Sequence, residues 1–165
     1  MAKRFFTVIL AVLVIGTAFA AANPALDGTW FDDDWGDKYV FNNGVLEISD
    51  EHGVGLRATY TTSGDNIALK VTHVRGSDFE SHLRFWLYYS LSSELYSRAE
   101  LESLVIDVIV DYEGPFSPDE LAELRAEFDL ELDAIFETIE GTYSVTEDRA
   151  ILMLYGYFVT VLTRE

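Results

Sequence analysis

A repeated motif restricts the fold more than any other feature of this chain. Leu26-Asp-Gly-Thr-Trp30 returns near the opposite end as Ile139-Glu-Gly-Thr-Tyr143. In each copy an apolar residue and an acid lead into Gly-Thr-aromatic, and an alternation of period two follows. Ala58-Thr-Tyr60 is a weaker echo. These read as strand openings of one small β-barrel whose two parts are separated by an insertion of a different kind.

From Gly28 to Val74 the alternation is broken at short intervals by turn chemistry. Strands are expected over 29–32, 38–42, 45–49, 55–62 and 66–74. Tyr39 and Phe41 share one face of the second strand, and Leu46 and Ile48 one face of the third. Leu56, Ala58 and Tyr60 share a face of the fourth, and Ile67, Leu69, Val71 and His73 one of the fifth. Asn43-Gly44 is the signature of a two-residue type I′ hairpin, because both residues tolerate positive φ. Residues 76–140 change period. Phe79, Leu83, Trp86 and Ser90 recur at helical intervals over 78–95. Ser97 and Glu100 form a capping box that opens a second helix over 98–112, although the β-branched run 105–110 also fits a strand. Ser117, Pro118 and Glu120 open a third, with Leu121, Leu124, Phe128, Leu132, Ile135 and Ile139 in one stripe and acids opposite, ending at Gly141. Three further strands follow, over 142–146, 150–155 and 158–164. The run 151–154 is apolar on both faces, so it needs cover from the helical insertion or a second subunit.

The expected fold is therefore mainly β with a helical insertion. It is an eight-stranded antiparallel up-and-down barrel with about three helices between strands 5 and 6. Eight strands is the count at which a closed barrel just holds side chains or one small ligand. In such a meander the fifth strand ends, and the sixth begins, at one rim, which the insertion must cover. The inward residues expected nearest that rim are Tyr39, Ile48, Leu56, Val71, His73, Tyr143, Met153 and Tyr155, with Trp86 contributed by the insertion. Loops there carry Asp32, Asp33, Asp34, Asp37, Asp50, Glu51 and His52. The last strand ends beside the first, which brings Arg164 to Trp30, where a guanidinium can stack on an indole.

Gly28-Thr29-Trp30 resembles the Gly-x-Trp motif of lipocalins, and Arg164 stands where lipocalins carry an arginine that packs over that tryptophan. The wider pattern of L-x-G-T-W, Y-x-F and T-Y-x-x-x-G-D-N-I-x-L resembles small secreted bacterial lipocalin-like domains. The resemblance covers about half the chain, residues 26–74 and 141–164. It implies a calycin-type barrel that binds a small apolar or amphipathic molecule.

Lys3 and Arg4, an apolar run over 5–16 and Ala18-Phe-Ala20 form an export signal cleaved after Ala20. Residues 21–165 are then one lipocalin-like domain with 76–140 as its insertion, and the destination is periplasmic or extracellular. The apolar run is short for a membrane span, and no other span is expected after cleavage. Without cysteine, no disulfide framework or N-terminal Cys lipid anchor is available. Cleavage leaves nine Lys and Arg against 29 Asp and Glu, a formal charge of −20, which repels nucleic acid. No nucleophilic cysteine, Gly-x-Ser-x-Gly elbow, phosphate-cradling loop or His-Glu-x-x-His is present, so neither an enzyme nor a cofactor is expected. His52, His73 and His82 lack metal-ligand spacing, and the acidic run 32–37 lacks the alternation of a Ca²⁺ loop. Two readings stay open. One is a binding protein for a small apolar or amphipathic ligand. The other is an interaction protein with a side-chain-filled barrel, whose helical insertion meets a protein partner or a second copy.

Overall fold

The computed structural model describes residues 22–79, 94–156 and 158–165. Among these, the chain forms β1 (Gly28–Asp32), β2 (Lys38–Asn42), β3 (Val45–Asp50), β4 (Gly53–Ser63) and β5 (Asn66–Arg75). A single helical turn, α1 (Gly76–Phe79), follows. Then come β6 (Leu95–Ser97), α2 (Arg98–Glu113), α3 (Pro118–Ile135), β7 (Thr138–Val145), β8 (Arg149–Leu154) and β9 (Phe158–Arg164). Strands β1 to β5 pair in succession, β5 pairs β7, β7 pairs β8, β8 pairs β9, and β9 returns to β1. Every pairing is antiparallel, and the eight strands close a barrel. The short β6 pairs with His73–Arg75, beyond the part of β5 that β7 occupies.

Local chemistry explains most boundaries. Asn43 and Gly44 take φ of 47° and 84°, as the type I′ turn requires. Ser97 and Ser117 each close a full capping box, with Glu100 and Glu120 returning to the cap backbone. Both carboxyls are held below their usual range, by hydrogen bonds to those serines. The run 105–110 is helical. Val105, Ile106 and Ile109 are buried against α3 and the barrel, so tertiary packing overrides β-branched propensity.

Three expectations need correction. The described residues hold two helices of more than one turn, not about three. The first was expected over 78–95; residues 80–93 lie outside the described set. Leu95 belongs to β6, because β5 extends past β7 and offers three residues of open edge. The third helix stops at Ile135, well short of Gly141, and Ile139 lies in β7 opposite Leu69. Phe136 closes the helix with its N–H on the Leu132 carbonyl and turns into the core. Gly141 is thus in mid-strand and opens nothing. A Cβ there would stand 2.2 Å from the Met153 carbonyl oxygen, so glycine permits the β7–β8 approach.

Two cores result. The barrel interior is filled by Trp30, Phe41, Leu46, Tyr60, Ile67, Leu69, Leu152 and Leu162, all at most 4% exposed. The second lies between the helices and the end of the barrel where β5 finishes, with Val71, Val74, Leu101, Val105, Phe128 and Leu132 buried in it. Leu56 and Ile139 touch both. No helix among the described residues is long and apolar enough to cross a membrane.

Candidate functional site

The far end of the barrel, away from the helices, is sealed by the first Gly-Thr-aromatic motif. Trp30 is fully buried and donates its indole N–H to the Leu26 carbonyl at 2.7 Å. The Arg164 guanidinium lies 4.4 Å from the ring centroid and donates to the Ala25 carbonyl at 3.0 Å. Asp27 accepts from the Tyr60 hydroxyl at 3.0 Å and the Asn43 N–H at 3.1 Å. Burial, then the Asp27 carboxylate, pushes the Tyr60 hydroxyl well above its ordinary pKa.

At the other end, two pockets meet at Leu56. One, of about 300 Å³, is lined by Asp37, Tyr39, Ile48, Ser49, Asp50, Gly55, Leu56 and Arg75. Arg75 is 4% exposed, and its two terminal nitrogens donate to the two Asp50 oxygens at 2.9 and 2.5 Å. That fork holds the Asp50 carboxyl well below its ordinary range, with a smaller opposing push from desolvation. Asp37 moves the other way. Burial raises it first, and the Asp50 and Asp32 charges add to this despite Arg75. The Tyr39 hydroxyl is pushed up to about 12 by burial and by Asp32 and Asp37, against a hydrogen bond with Thr160. Asp32 is buried and accepts the N–H groups of Asp34 and Trp35 at 2.9 and 3.3 Å. The acidic run is therefore turn scaffolding that also lends charge to the rim. Among the described residues no three His, Asp or Glu side chains converge as a metal-holding group.

The larger pocket, of about 440 Å³, lies between the last turns of α3 and the barrel. Glu131, Ala134 and Ile135 of α3 face Leu56, Val71 and Ile139 of the strands, and Tyr155 stands beside them. Tyr155 reaches the site because it takes φ of 53° in the β8–β9 turn, followed by Gly156 at 74°. Its hydroxyl makes a short hydrogen bond to Glu137. Lys70 donates to the Phe136 carbonyl at 2.6 Å and so satisfies one open acceptor at the end of α3. Glu131 Oε2 is buried and has no hydrogen-bond partner among the described residues.

Of the residues expected at the rim, Tyr39, Ile48 and Leu56 line the smaller pocket, and Leu56, Val71 and Tyr155 the larger. Three lie elsewhere. β5 carries a bulge at Thr72, since Arg57 opposes His73 but Ala58 opposes Val71. The extra residue reverses the alternation, so Val74 is buried and His73 stands half-buried on the other face, its Nδ1 3.1 Å from the Thr72 hydroxyl. Tyr143 sits at the sealed end and accepts from Asn23 at 2.8 Å, because β7 begins at Thr138 rather than at the motif. Met153 points outward and is 40% exposed, while Leu152 fills the interior. Trp86 lies outside the described residues. Sequence reasoning passed over Glu131, Ala134 and Arg75. Glu131 carried a signal, since it falls on the apolar stripe three residues after Phe128 and four before Ile135. Comparison of the chain with protein-family models, curated proteins and solved structures finds no match.

Proposed function

We propose that this is an exported, non-enzymatic, lipocalin-like binding protein that takes a small apolar or amphipathic molecule under α3. The carrying observation is the pocket of about 440 Å³ between α3 and the strands, walled by Leu56, Val71, Ala134, Ile135 and Ile139. Its size and largely apolar wall with a few polar groups suit a small organic ligand. The filled barrel interior supports a site at the rim rather than along the axis. The consecutive pairing of the barrel strands supports reading the ring as the up-and-down lipocalin meander. The basic, apolar and A-x-A features of residues 1–20 support delivery outside the cytoplasm.

The test is binding of a neutral fluorescent apolar dye, N-phenyl-1-naphthylamine, to the purified protein and to Ala134→Trp. Ala134 lines the pocket but is solvent-exposed, so an indole there fills the pocket without disturbing the core. The expected result is saturable binding that Ala134→Trp removes while the melting temperature holds. A dye that the parent protein ignores, or that binds the variant equally well, overturns the proposal.

A second reading rests on a different surface. Met153 and Val159, directly paired on β8 and β9, are 40% and 52% exposed on the outside of the barrel. That apolar pair suits contact with another protein. The stripe of α3 suits it less, because Phe128 and Leu132 face inward and are buried.

A further inference from the structure

We propose that the ligand of this pocket is a cationic amphiphile, an apolar body carrying a protonated amine whose nitrogen binds Glu131. The inference rests on the binding function proposed above and names the chemistry of its ligand. Three observations converge. The pocket wall is apolar apart from Glu131 and Tyr155. Glu131 Oε2 is cut off from solvent, yet no donor among the described residues meets it. An orphaned buried acceptor destabilises a fold, and more so when charged. An apolar residue on this stripe would avoid that penalty, and a ligand that brings a donor removes it.

The surroundings select a charged donor over a neutral one. Glu131 lies near the C-terminus of α3, the negative end of the helix dipole, and the last turn carries no basic residue. Asp129, Asp133 and Glu137 add negative charge along the same stretch of chain. Among the described residues, Arg98 and Lys70 are already engaged. Arg98 reaches from the start of α2 to Asp129 at 2.9 Å and Asp133 at 3.0 Å, and Lys70 donates to the Phe136 carbonyl. The Tyr155 hydroxyl is bonded to Glu137. An ammonium group at Oε2 would form a charge-assisted hydrogen bond in a poorly hydrated place, where such bonds are strongest. A carboxylate ligand would meet only repulsion there.

The experiment displaces bound N-phenyl-1-naphthylamine with decylamine, decanol and decanoate, each below its aggregation threshold. It uses the parent protein, Glu131→Gln, and Glu123→Gln on the exposed side of the same helix. The parent should release dye to decylamine at a concentration about tenfold lower than to decanol, as a charge-assisted hydrogen bond implies. Decanoate should be the weakest competitor. Glu131→Gln should bring amine and alcohol to within about twofold while dye binding persists, and Glu123→Gln should leave the parent order intact. Equal displacement by all three in the parent overturns the assignment. So does an amine preference that survives Glu131→Gln, or one lost equally in both variants, which would reflect overall charge rather than a contact. In those cases dye binding still stands and the binding function survives. If the parent protein binds no dye, both fall together.

Discussion

Trp30 and Arg164 join the two ends of the chain through one stacked contact, and their substitutions should differ in cost. Trp30 is fully buried, so Trp30→Ala should destabilise by about 3–5 kcal/mol, the range for truncating a large core aromatic. Arg164 is exposed around its stack, and Arg164→Ala should cost only about 0.5–1 kcal/mol. Denaturant titration of both variants checks the order; a near-neutral Trp30→Ala would refute the inward face of β1. At the rim, two carboxylates respond to pH with opposite sign. The Asp50 pKa is depressed by Arg75, so its contribution is fully present above the ordinary carboxylate value of about 4 and is lost as pH falls through its lower folded value. Asp50→Asn should therefore lower the melting temperature at neutral pH, with the deficit closing in strong acid. The Asp37 pKa is raised, chiefly by burial, so ionised Asp37 works against the fold above its raised value. Asp37→Asn should raise the melting temperature at neutral pH, a gain that fades as pH falls toward the ordinary carboxylate value. Melts of both variants across pH give the signs directly.

Gly141 makes the plainest test among the elements. Its Cβ would collide with backbone of β8, at 2.2 Å from the Met153 oxygen and 3.1 Å from the Leu154 Cα, and neither can swing away. Gly141→Ala should cost about 1–3 kcal/mol, as overpacking does. A neutral outcome in thermal unfolding would show that β7 and β8 are less close. The same glycine marks where the sequence was legible and where it was not. Capping boxes at Ser97 and Ser117, the Asn43-Gly44 turn and the alternation of β2 to β5 announced themselves, because each rests on chemistry within a few residues. The bulge at Thr72 did not, since partner strands decide where a register slips, and it moved His73 off the expected face. The run 151–154 is apolar on both faces, so its parity carried no sign, and Met153 fell outside. Of the rim site, the strand walls at Tyr39, Leu56 and Val71 were readable from alternation. Glu131 was hidden among the many acids of α3 despite its stripe position.

Across the whole molecule, the ring is completed only when β9 lies against β1, with Trp30 opposite Arg164 and Asp32 opposite Leu162. Removing residues 161–165 deletes fully buried Leu162 and both of those pairings, together with that of Phe31 and Thr163. The shortened chain should lose its cooperative melt by circular dichroism; a sharp transition in it would show that the closure is dispensable. Joining segments from opposite ends of a chain carries a large loop-closure entropy and slows folding. A chain emerging from its N-terminus can therefore pair β1 with β2 at once, but the other edge of β1 has no native partner until β9 has been made. Under the export proposed above, that delay has a use. A polypeptide delivered that way would stay threadable while it crosses the membrane, and its barrel would set only on the far side, when β9 arrives.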